Sequence, residues 1–328
     1  SRKELNFLIW IDNNRNMKIY IAKLRGFCAG VDRAIEIVKR ALQQHGRPIY
    51  VRHEVVHNRF VVEKLKEEGA IFVEEIEDVP SGSVVIFSAH GVSQAIRDKA
   101  KNMKIKIYDA TCPLVTKVHR EVQNNFKNGR ELIMIGHKGH PEVEGTTGQI
   151  DGRVHLVESE GDVKNLVVSN PDKLAFVTQT TLSVDDTASI VKVLKDKFPK
   201  IVGPKKDDIC YATQNRQDGV RELAKFCDVI LVVGSPNSSN SNRLREVASK
   251  LGVDAYMVDN PVQLDEGWFS DDSVIGLTAG ASAPEVLVQQ VLDRLKKMGS
   301  ADIEEIGTST EDVVFRLPRD LQEISIQN

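Results

Sequence analysis

Cys28-Ala29-Gly30-Val31-Asp32 is the first of three segments in which a cysteine directly precedes a predicted helix. The other two are Cys112-Pro113-Leu114-Val115-Thr116 and Cys210-Tyr211-Ala212-Thr213-Gln214. Polar loops follow the three cysteines at nearly constant distance, since His57, His140 and Ser239 lie 29, 28 and 29 residues beyond them. A second polar loop closes each unit, and these loops contain His90, Thr180 and Ser282. The spacing predicts three copies of one unit and makes chance similarity among generic α/β units the weaker interpretation.

The rest of the chain shows the same alternation of elements. Short β-branched runs such as Asp228–Gly234 alternate with amphipathic stretches such as Asn242–Leu251, which predicts parallel sheets with crossover helices. We therefore predict an α/β protein, a pseudo-threefold trefoil of three parallel-sheet lobes. The predicted divisions are an N-terminal appendage (1–16), lobe 1 (30–111), lobe 2 (112–207), lobe 3 (208–298 plus 17–29) and a C-terminal tail (299–328). Within the tail, Glu311–Pro318 has the pattern of one more strand.

Composition excludes several classes of protein. The 328 residues are 41% hydrophobic and 28% charged, so a sizeable core can form. The net charge of −3 and the 5% aromatic content argue against general binding to nucleic acid or to an anionic membrane. No apolar run reaches the length of a membrane span, and the short run at residues 5–11 makes a poor signal peptide. Only four cysteines occur, and no two of them form a CxxC pair. We therefore expect that the protein has no disulfide framework and is located in a reducing cytoplasm.

The three repeated cysteines predict a metal site. Helix N-termini favour the thiolate form, and three thiolates near a pseudo-threefold axis could bind either zinc or an iron–sulfur cluster. A cluster of four irons with three protein ligands leaves one iron open to a substrate oxygen. Cys227 has no counterpart in the repeat and fits a buried packing role.

The polar loops predict an anion site at the same place. Neutral or cationic donors at helix starts suit a phosphate, and no P-loop or GxGxxG motif indicates a nucleotide cofactor. The hydroxyl residues could instead be ordinary helix caps, above all Ser282. Glu142 is the one carboxylate we single out in these loops; it could be a proton donor with a raised pKa or a plain surface glutamate. His45, His53, His119, His137 and His155 have weaker support.

Long strings of this sequence resemble the IspH/LytB family of 4-hydroxy-3-methylbut-2-enyl diphosphate reductases. The strings include Arg25–Val31, Asp109–Val115, Gly139–Gly145, Thr178–Ser183 and Asp207–Thr213, and the match runs from about Met17 to the region of Val314. The resemblance implies a cytoplasmic oxidoreductase of the non-mevalonate isoprenoid pathway. Its substrate, (E)-4-hydroxy-3-methylbut-2-enyl diphosphate, takes two electrons and two protons and loses its hydroxyl as water. The products are isopentenyl diphosphate and dimethylallyl diphosphate.

The resemblance also implies roles for individual residues. One [4Fe–4S] cluster would be held at the centre of the trefoil by Cys28, Cys112 and Cys210, with one open iron. Glu142 would supply protons, and His140 and Thr180 would orient the hydroxyl and relay protons. The residues that bind the diphosphate would be His57, His90, His140, Thr180, Ser238, Ser239, Asn240 and Ser282. Reduced ferredoxin or flavodoxin would donate electrons, and the lobes would close over the substrate.

Two other functions remain as alternatives. A hydro-lyase would use a three-cysteine cluster as a Lewis acid and need no electron donor. A metal-stabilised binding protein would not require so many polar residues in its loops. An enzyme that generates radicals at a cluster is disfavoured, because its closely spaced cysteine triplet is absent from the sequence.

Overall fold

The structure, a computed structural model, describes residues 16–322, and residues 1–15 of the predicted appendage lie outside that range. Within it, the strands form three separate sheets in which every pair of neighbouring strands is parallel. The predicted α/β class with three parallel-sheet lobes is confirmed.

The first sheet has four strands in the order β3-β2-β4-β5. Its strands are β2 (Ile49–Arg52), β3 (Ala70–Val73), β4 (Val84–Phe87) and β5 (Lys106–Asp109). The helices of this part of the chain are α1 (Ala29–His45), α2 (Arg59–Glu67) and α3 (Gln94–Asn102), with a 3-10 turn at Ile76–Asp78.

The second sheet has three strands in the order β7-β6-β8. Its strands are β6 (Glu131–Ile135), β7 (Val154–Val157) and β8 (Leu174–Thr178). The accompanying helices are α4 (Pro113–Lys127), α5 (Pro141–Thr147), α6 (Glu160–Asn165) and α7 (Val184–Lys197).

The third sheet has five strands in the order β10-β9-β11-β1-β12. Its strands are β1 (Asn16–Ala22), β9 (Val229–Val233), β10 (Asp254–Val258), β11 (Val274–Ala279) and β12 (Ser300–Ile306). The helices are α8 (Tyr211–Leu223), α9 (Ser239–Lys250) and α10 (Glu285–Met298), with 3-10 turns at Pro261–Gln263, Glu266–Trp268 and Arg319–Leu321.

Each sheet has a hydrophobic cluster on both of its faces. In β9, for example, Leu231 packs on one face and Ile230 and Val232 on the other. All five residues of β9 and of β8 are buried, because helices cover both sides of a parallel sheet. Cys227 is buried in the cluster that contains Ile230, as its packing role predicts.

The C-terminal region differs from the sequence prediction in one element. The strand predicted at Glu311–Pro318 is wrong, since residues 307–318 form no regular secondary structure. A strand instead occupies Ser300–Ile306, within the span we predicted as a tail, and pairs with β1 along seven residues. The exact limits of the three lobes stay predictions.

Candidate active site

Each of the three repeated cysteines is the N-cap residue of a helix. Cys28, Cys112 and Cys210 precede α1, α4 and α8, which accompany three different sheets. All three line one cavity of about 100 Å³. Gly30 lies between two of them: a Cβ atom there would be 2.7 Å from the Cys112 sulfur and 3.8 Å from the Cys28 sulfur. Only glycine leaves this space free for a group bound between the two thiols.

The thiols of the free cysteines are protonated at neutral pH, contrary to our expectation for helix N-termini. Burial, together with the charge of neighbouring cysteine thiolates, raises the pKa of Cys112 to about 12 and that of Cys210 to about 11. Burial also raises the pKa of Cys28, although the charge of Arg216 opposes the shift. The loss of hydration therefore outweighs the helix N-terminus, and a metal that binds here must displace protons.

Three histidine rings form one wall of the cavity. His57 and His90 lie in loops that follow strands of the first sheet, and His140 lies in the loop after β6 of the second sheet. The rings of His57 and His90 are stacked with centroids 4.0 Å apart, and His140 meets them edge-on at 5.4 and 5.7 Å. Burial, together with the charge of the neighbouring His57 ring, lowers the pKa of His140 to about 3 and that of His90 well below its usual range. These two rings are neutral in the free protein at pH 7.

Local hydrogen bonds fix two of the rings. His140 caps α5, because its Nδ1 accepts a bond of 3.1 Å from the backbone N–H of Glu142. The proton of the neutral His140 ring is therefore on Nε2. His57 Nδ1 lies 3.2 Å from Glu54 Oε2, and that carboxylate also accepts a bond of 2.7 Å from Asn237.

Glu142 is a buried carboxyl group bonded to Thr180. Its side chain accepts bonds from the Thr180 backbone N–H (2.6 Å) and the Thr180 hydroxyl (3.0 Å). Burial, with a smaller contribution from the charge of Asp208, outweighs the two bonds from Thr180 and raises the pKa of Glu142 to about 7. Glu142 can therefore hold or release a proton near neutral pH.

Serine hydroxyl groups connect the lobes around the cavity. Ser282 Oγ donates to the His57 carbonyl at 2.9 Å, which joins the third sheet to the first. Ser239 Oγ donates to the Thr181 carbonyl at 3.3 Å, which joins the third to the second. Ser238 caps α9 by accepting a bond from the Ser241 N–H, and this supports the capping interpretation for that residue.

The structure brings all twelve predicted site residues to the same cavity. They are Cys28, His57, His90, Cys112, His140, Glu142, Thr180, Cys210, Ser238, Ser239, Asn240 and Ser282. The five histidines with weaker support do not line it. The sequence prediction missed Thr213, whose hydroxyl lies 3.2 Å from the Cys210 sulfur and 3.4 Å from the Asn240 amide. Its position three residues after an N-cap could have indicated this contact.

Residues 16–322 contain neither a membrane-spanning helix nor a compact set of metal ligands. In that range no helix is long and apolar enough to cross a lipid bilayer. Nor does any group of three His, Cys, Asp or Glu side chains in the described chain converge as ligands of one metal ion. The three cysteine thiols therefore surround the cavity without converging on one point.

Comparison with known proteins identifies the family. The family model described as LytB protein matches residues 19–296. The 4-hydroxy-3-methylbut-2-enyl diphosphate reductase of Azoarcus sp. strain BH72 is 62% identical over 313 residues, which cover 95% of this chain and 99% of that protein. The enzyme of the same name from Pseudomonas putida strain W619 is 61% identical over 310 residues, with 93% and 98% covered.

Solved structures agree with this result. The E-1-hydroxy-2-methyl-but-2-enyl-4-diphosphate reductase of Plasmodium falciparum has 41% identity and a TM-score of 0.89, with 93% of this chain and 97% of that chain covered. A second structure, described as the reductase that is the terminal enzyme of the non-mevalonate pathway, has 30% identity and a TM-score of 0.61, with 86% and 99% covered. The resemblance predicted from the motifs is confirmed, and the chain belongs to the LytB protein family, whose relatives named here are all reductases.

Proposed function

We propose that this chain reduces (E)-4-hydroxy-3-methylbut-2-enyl diphosphate to isopentenyl and dimethylallyl diphosphate, the last step of the non-mevalonate pathway. The substrate takes up two electrons and two protons, its C–O bond breaks, and the hydroxyl leaves as water. The curated relatives carry the name of this activity. The observation that carries the proposal is the single cavity lined by three free cysteines, three histidines and a buried Glu–Thr pair.

Cys28, Cys112 and Cys210 would hold one [4Fe–4S] cluster with three protein ligands. The space that Gly30 leaves between two of the sulfurs and the position of all three thiols on one cavity support this assignment. When bound, the cluster would supply electrons and a Lewis-acidic iron without a protein ligand. Reduced ferredoxin or flavodoxin would be the electron donor, and a cytoplasmic location stays a prediction.

Glu142 would deliver protons to the substrate. A carboxyl group with a pKa of about 7 gives up a proton readily at neutral pH and is also readily reprotonated. The Thr180 hydroxyl, 3.0 Å from Glu142 Oε2, would orient the substrate hydroxyl and relay the proton. His140 would complete the set, since its Nε2–H is available once Nδ1 is bonded to the backbone.

The diphosphate would bind to His57, His90 and His140 together with Thr180, Ser238, Ser239, Asn240 and Ser282. Imidazole, hydroxyl and amide groups all donate hydrogen bonds to phosphate oxygens. A bound anion stabilises imidazolium and so opposes the burial that keeps His90 neutral, whereas His140 stays neutral because its Nδ1 accepts the Glu142 N–H. The ligand would therefore add a positive charge to the wall of rings at His90.

Anaerobic iron and sulfide analysis with turnover assays tests the proposal. The purified protein should contain about four irons and four sulfides per chain. Its visible spectrum should change when substrate is added, and turnover should require a reduced electron donor. Zinc in place of iron would contradict the cluster, and turnover without a reductant would identify a hydro-lyase instead.

A further inference from the structure

Three basic side chains connect the cysteine helices to one another. Each side chain lies on a helix that begins after one cysteine and donates hydrogen bonds to the loop that precedes the next cysteine. We call Arg33, Lys117 and Arg216 the braces. We propose that the braces are positioning residues that hold the three cysteine loops at the spacing the cluster requires. This inference rests on the proposed function, because it concerns the ligands of the cluster.

The first brace joins the Cys28 helix to the Cys112 loop. Arg33 lies five residues after Cys28, on α1. Its guanidinium donates to the carbonyl oxygens of Thr111 (3.1 Å) and Asp109 (3.4 Å). Thr111 is the residue directly before Cys112, so the bond acts at the start of the ligand segment.

The second brace joins the Cys112 helix to the Cys210 loop. Lys117 lies five residues after Cys112, on α4. Its ammonium group donates to the carbonyls of Lys206 (2.7 Å) and Asp207 (3.2 Å) and to the Asp208 carboxylate (3.0 Å). All three donors of the ammonium group are used on the turn that leads into Cys210.

The third brace joins the Cys210 helix to the Cys28 loop and closes the ring. Arg216 lies six residues after Cys210, on α8, and is 1% exposed. It donates to the Gly26 carbonyl through Nε (3.0 Å) and Nη2 (2.7 Å) and to the Phe27 carbonyl (3.1 Å). These are the two residues directly before Cys28.

Backbone pairing alone does not fix the cysteine loops relative to one another. The three sheets share no strand pair within residues 16–322, so the loops belong to separately paired units. Bonds from a cation to backbone carbonyls are stronger than those between neutral groups. Each brace runs from the helix after one cysteine to the loop before the next cysteine. The three braces together therefore tie every cysteine loop to the helix that begins at the preceding cysteine.

The segment after β12 reaches two of the three braces. The Glu311 carboxylate accepts from Arg216 at 2.9 Å, and the Arg316 carbonyl accepts from Arg33 Nε at 2.8 Å. Lys117 has neither contact, and its side chain is 31% exposed. It is therefore the brace whose substitution leaves the contacts of that segment intact, and Lys117→Arg keeps a cation beside the buried Asp208 carboxylate.

The test compares holoenzyme of Lys117→Met, Lys117→Arg and Arg221→Gln with the wild type. Arg221 is a matched control, since it joins α8 to Asp185 of α7 at 2.8 Å, away from the cysteine loops. The rate of iron release to a chelator is followed without oxygen, together with the thermal midpoint of the metal-free protein. Loss of a group that orients a metal ligand commonly weakens metal binding about 10- to 100-fold.

We expect Lys117→Met to release iron about tenfold faster or more, Lys117→Arg to restore most of the retention, and Arg221→Gln to match the wild type. Equal release from Lys117→Met and the wild type, or equal acceleration by Arg221→Gln, would overturn the inference. Hydrogen exchange in residues 206–210 of the metal-free protein should also be faster in Lys117→Met only. A wild type without iron–sulfur content would refute the proposed function, while the exchange data would still show whether the brace holds its loop.

Discussion

Glu142 offers the sharpest test of the proposed chemistry, through the substitution Glu142→Gln. The side chain is 2% exposed, and it accepts two hydrogen bonds from Thr180. Glutamine has nearly the same shape, and its carbonyl oxygen can still accept the bond from the Thr180 N–H. Its amide can donate to the Thr180 hydroxyl, which is able to accept. The variant therefore removes the titratable proton and leaves the packing in place.

The proton-donor role sets the expected loss of rate, and the raised pKa of Glu142 sets its pH dependence. Loss of a general acid lowers a rate by about 100- to 10,000-fold. We expect that loss in kcat, with about four irons still bound. In the wild type, turnover should fall above pH 7 as Glu142 ionises, because its pKa is raised to about 7. The charge of the bound diphosphate raises this pKa further, so the decline begins at or above pH 7.

The same shift predicts a gain in stability for the inactive variant. Burial raises the pKa of Glu142 from 4.5 to about 7, so the folded protein binds this proton more tightly than the unfolded chain. Stability relative to the glutamine variant is then lost as pH rises from about 4.5 to 7 and stays constant above that range. The full difference corresponds to about 3 kcal/mol.

Anaerobic turnover with a reduced viologen dye measures the first effect, and urea unfolding of the metal-free proteins at pH 5 and pH 8 measures the second. Glu142→Gln should be more stable than the wild type at pH 8 and much closer to it at pH 5. An active variant that keeps its cluster would remove Glu142 from the proton-transfer role. Equal stability differences at the two pH values would refute the raised pKa.

Three further predictions concern the cysteines and histidines. Cys112→Ser should lose most of its iron, whereas Cys227→Ser, changed in a hydrophobic cluster, should keep it; equal iron contents would contradict the ligand assignment. His57→Ala should weaken the binding of inorganic pyrophosphate, measured by calorimetry, because a donor in the wall of stacked rings is lost; unchanged affinity would argue against the diphosphate site. Binding of pyrophosphate to the wild type at pH 7 should take up protons, since His90 is neutral in the free protein and its ring can be protonated beside the anion, and affinity should rise as pH falls. Calorimetry in two buffers of different ionisation enthalpy measures this proton uptake. Equal binding enthalpies in the two buffers would contradict the prediction.

The position of the site could be predicted because the fold converts sequence order into geometry. Loops at the carboxyl ends of parallel strands meet at one edge of a sheet, so His90 after β4 and Thr180 after β8 were expected to face the ligand. Three similar units around an axis then bring the three cysteine segments together. The repeat alone indicated this arrangement, and the cavity contains every residue it nominated.

The elements that were missed depend on contacts between distant parts of the chain. Lys117 and Arg33 look like ordinary cations on the exposed side of a helix until the neighbouring loop is in place. β12 was missed because Asp302, Glu304 and Glu305 hide its β pattern, and pairing with β1 determines it. The protonated thiols were missed because the sequence shows a helix start but not the depth of its burial.

The separation of the three sheets bears on how the substrate could enter. Each sheet has its own hydrophobic clusters on both faces, so the lobes are packed largely within themselves. Around the cavity, side-chain hydrogen bonds join the third lobe to the other two, such as Ser282 to His57 and Ser239 to Thr181. Bonds of this kind contribute about 1 kcal/mol each, far less than exposing a hydrophobic cluster would cost. We therefore predict that the lobes separate at the cavity by rigid-body movement without unfolding, while the braces, which act on the cysteine loops, keep the ligand set together.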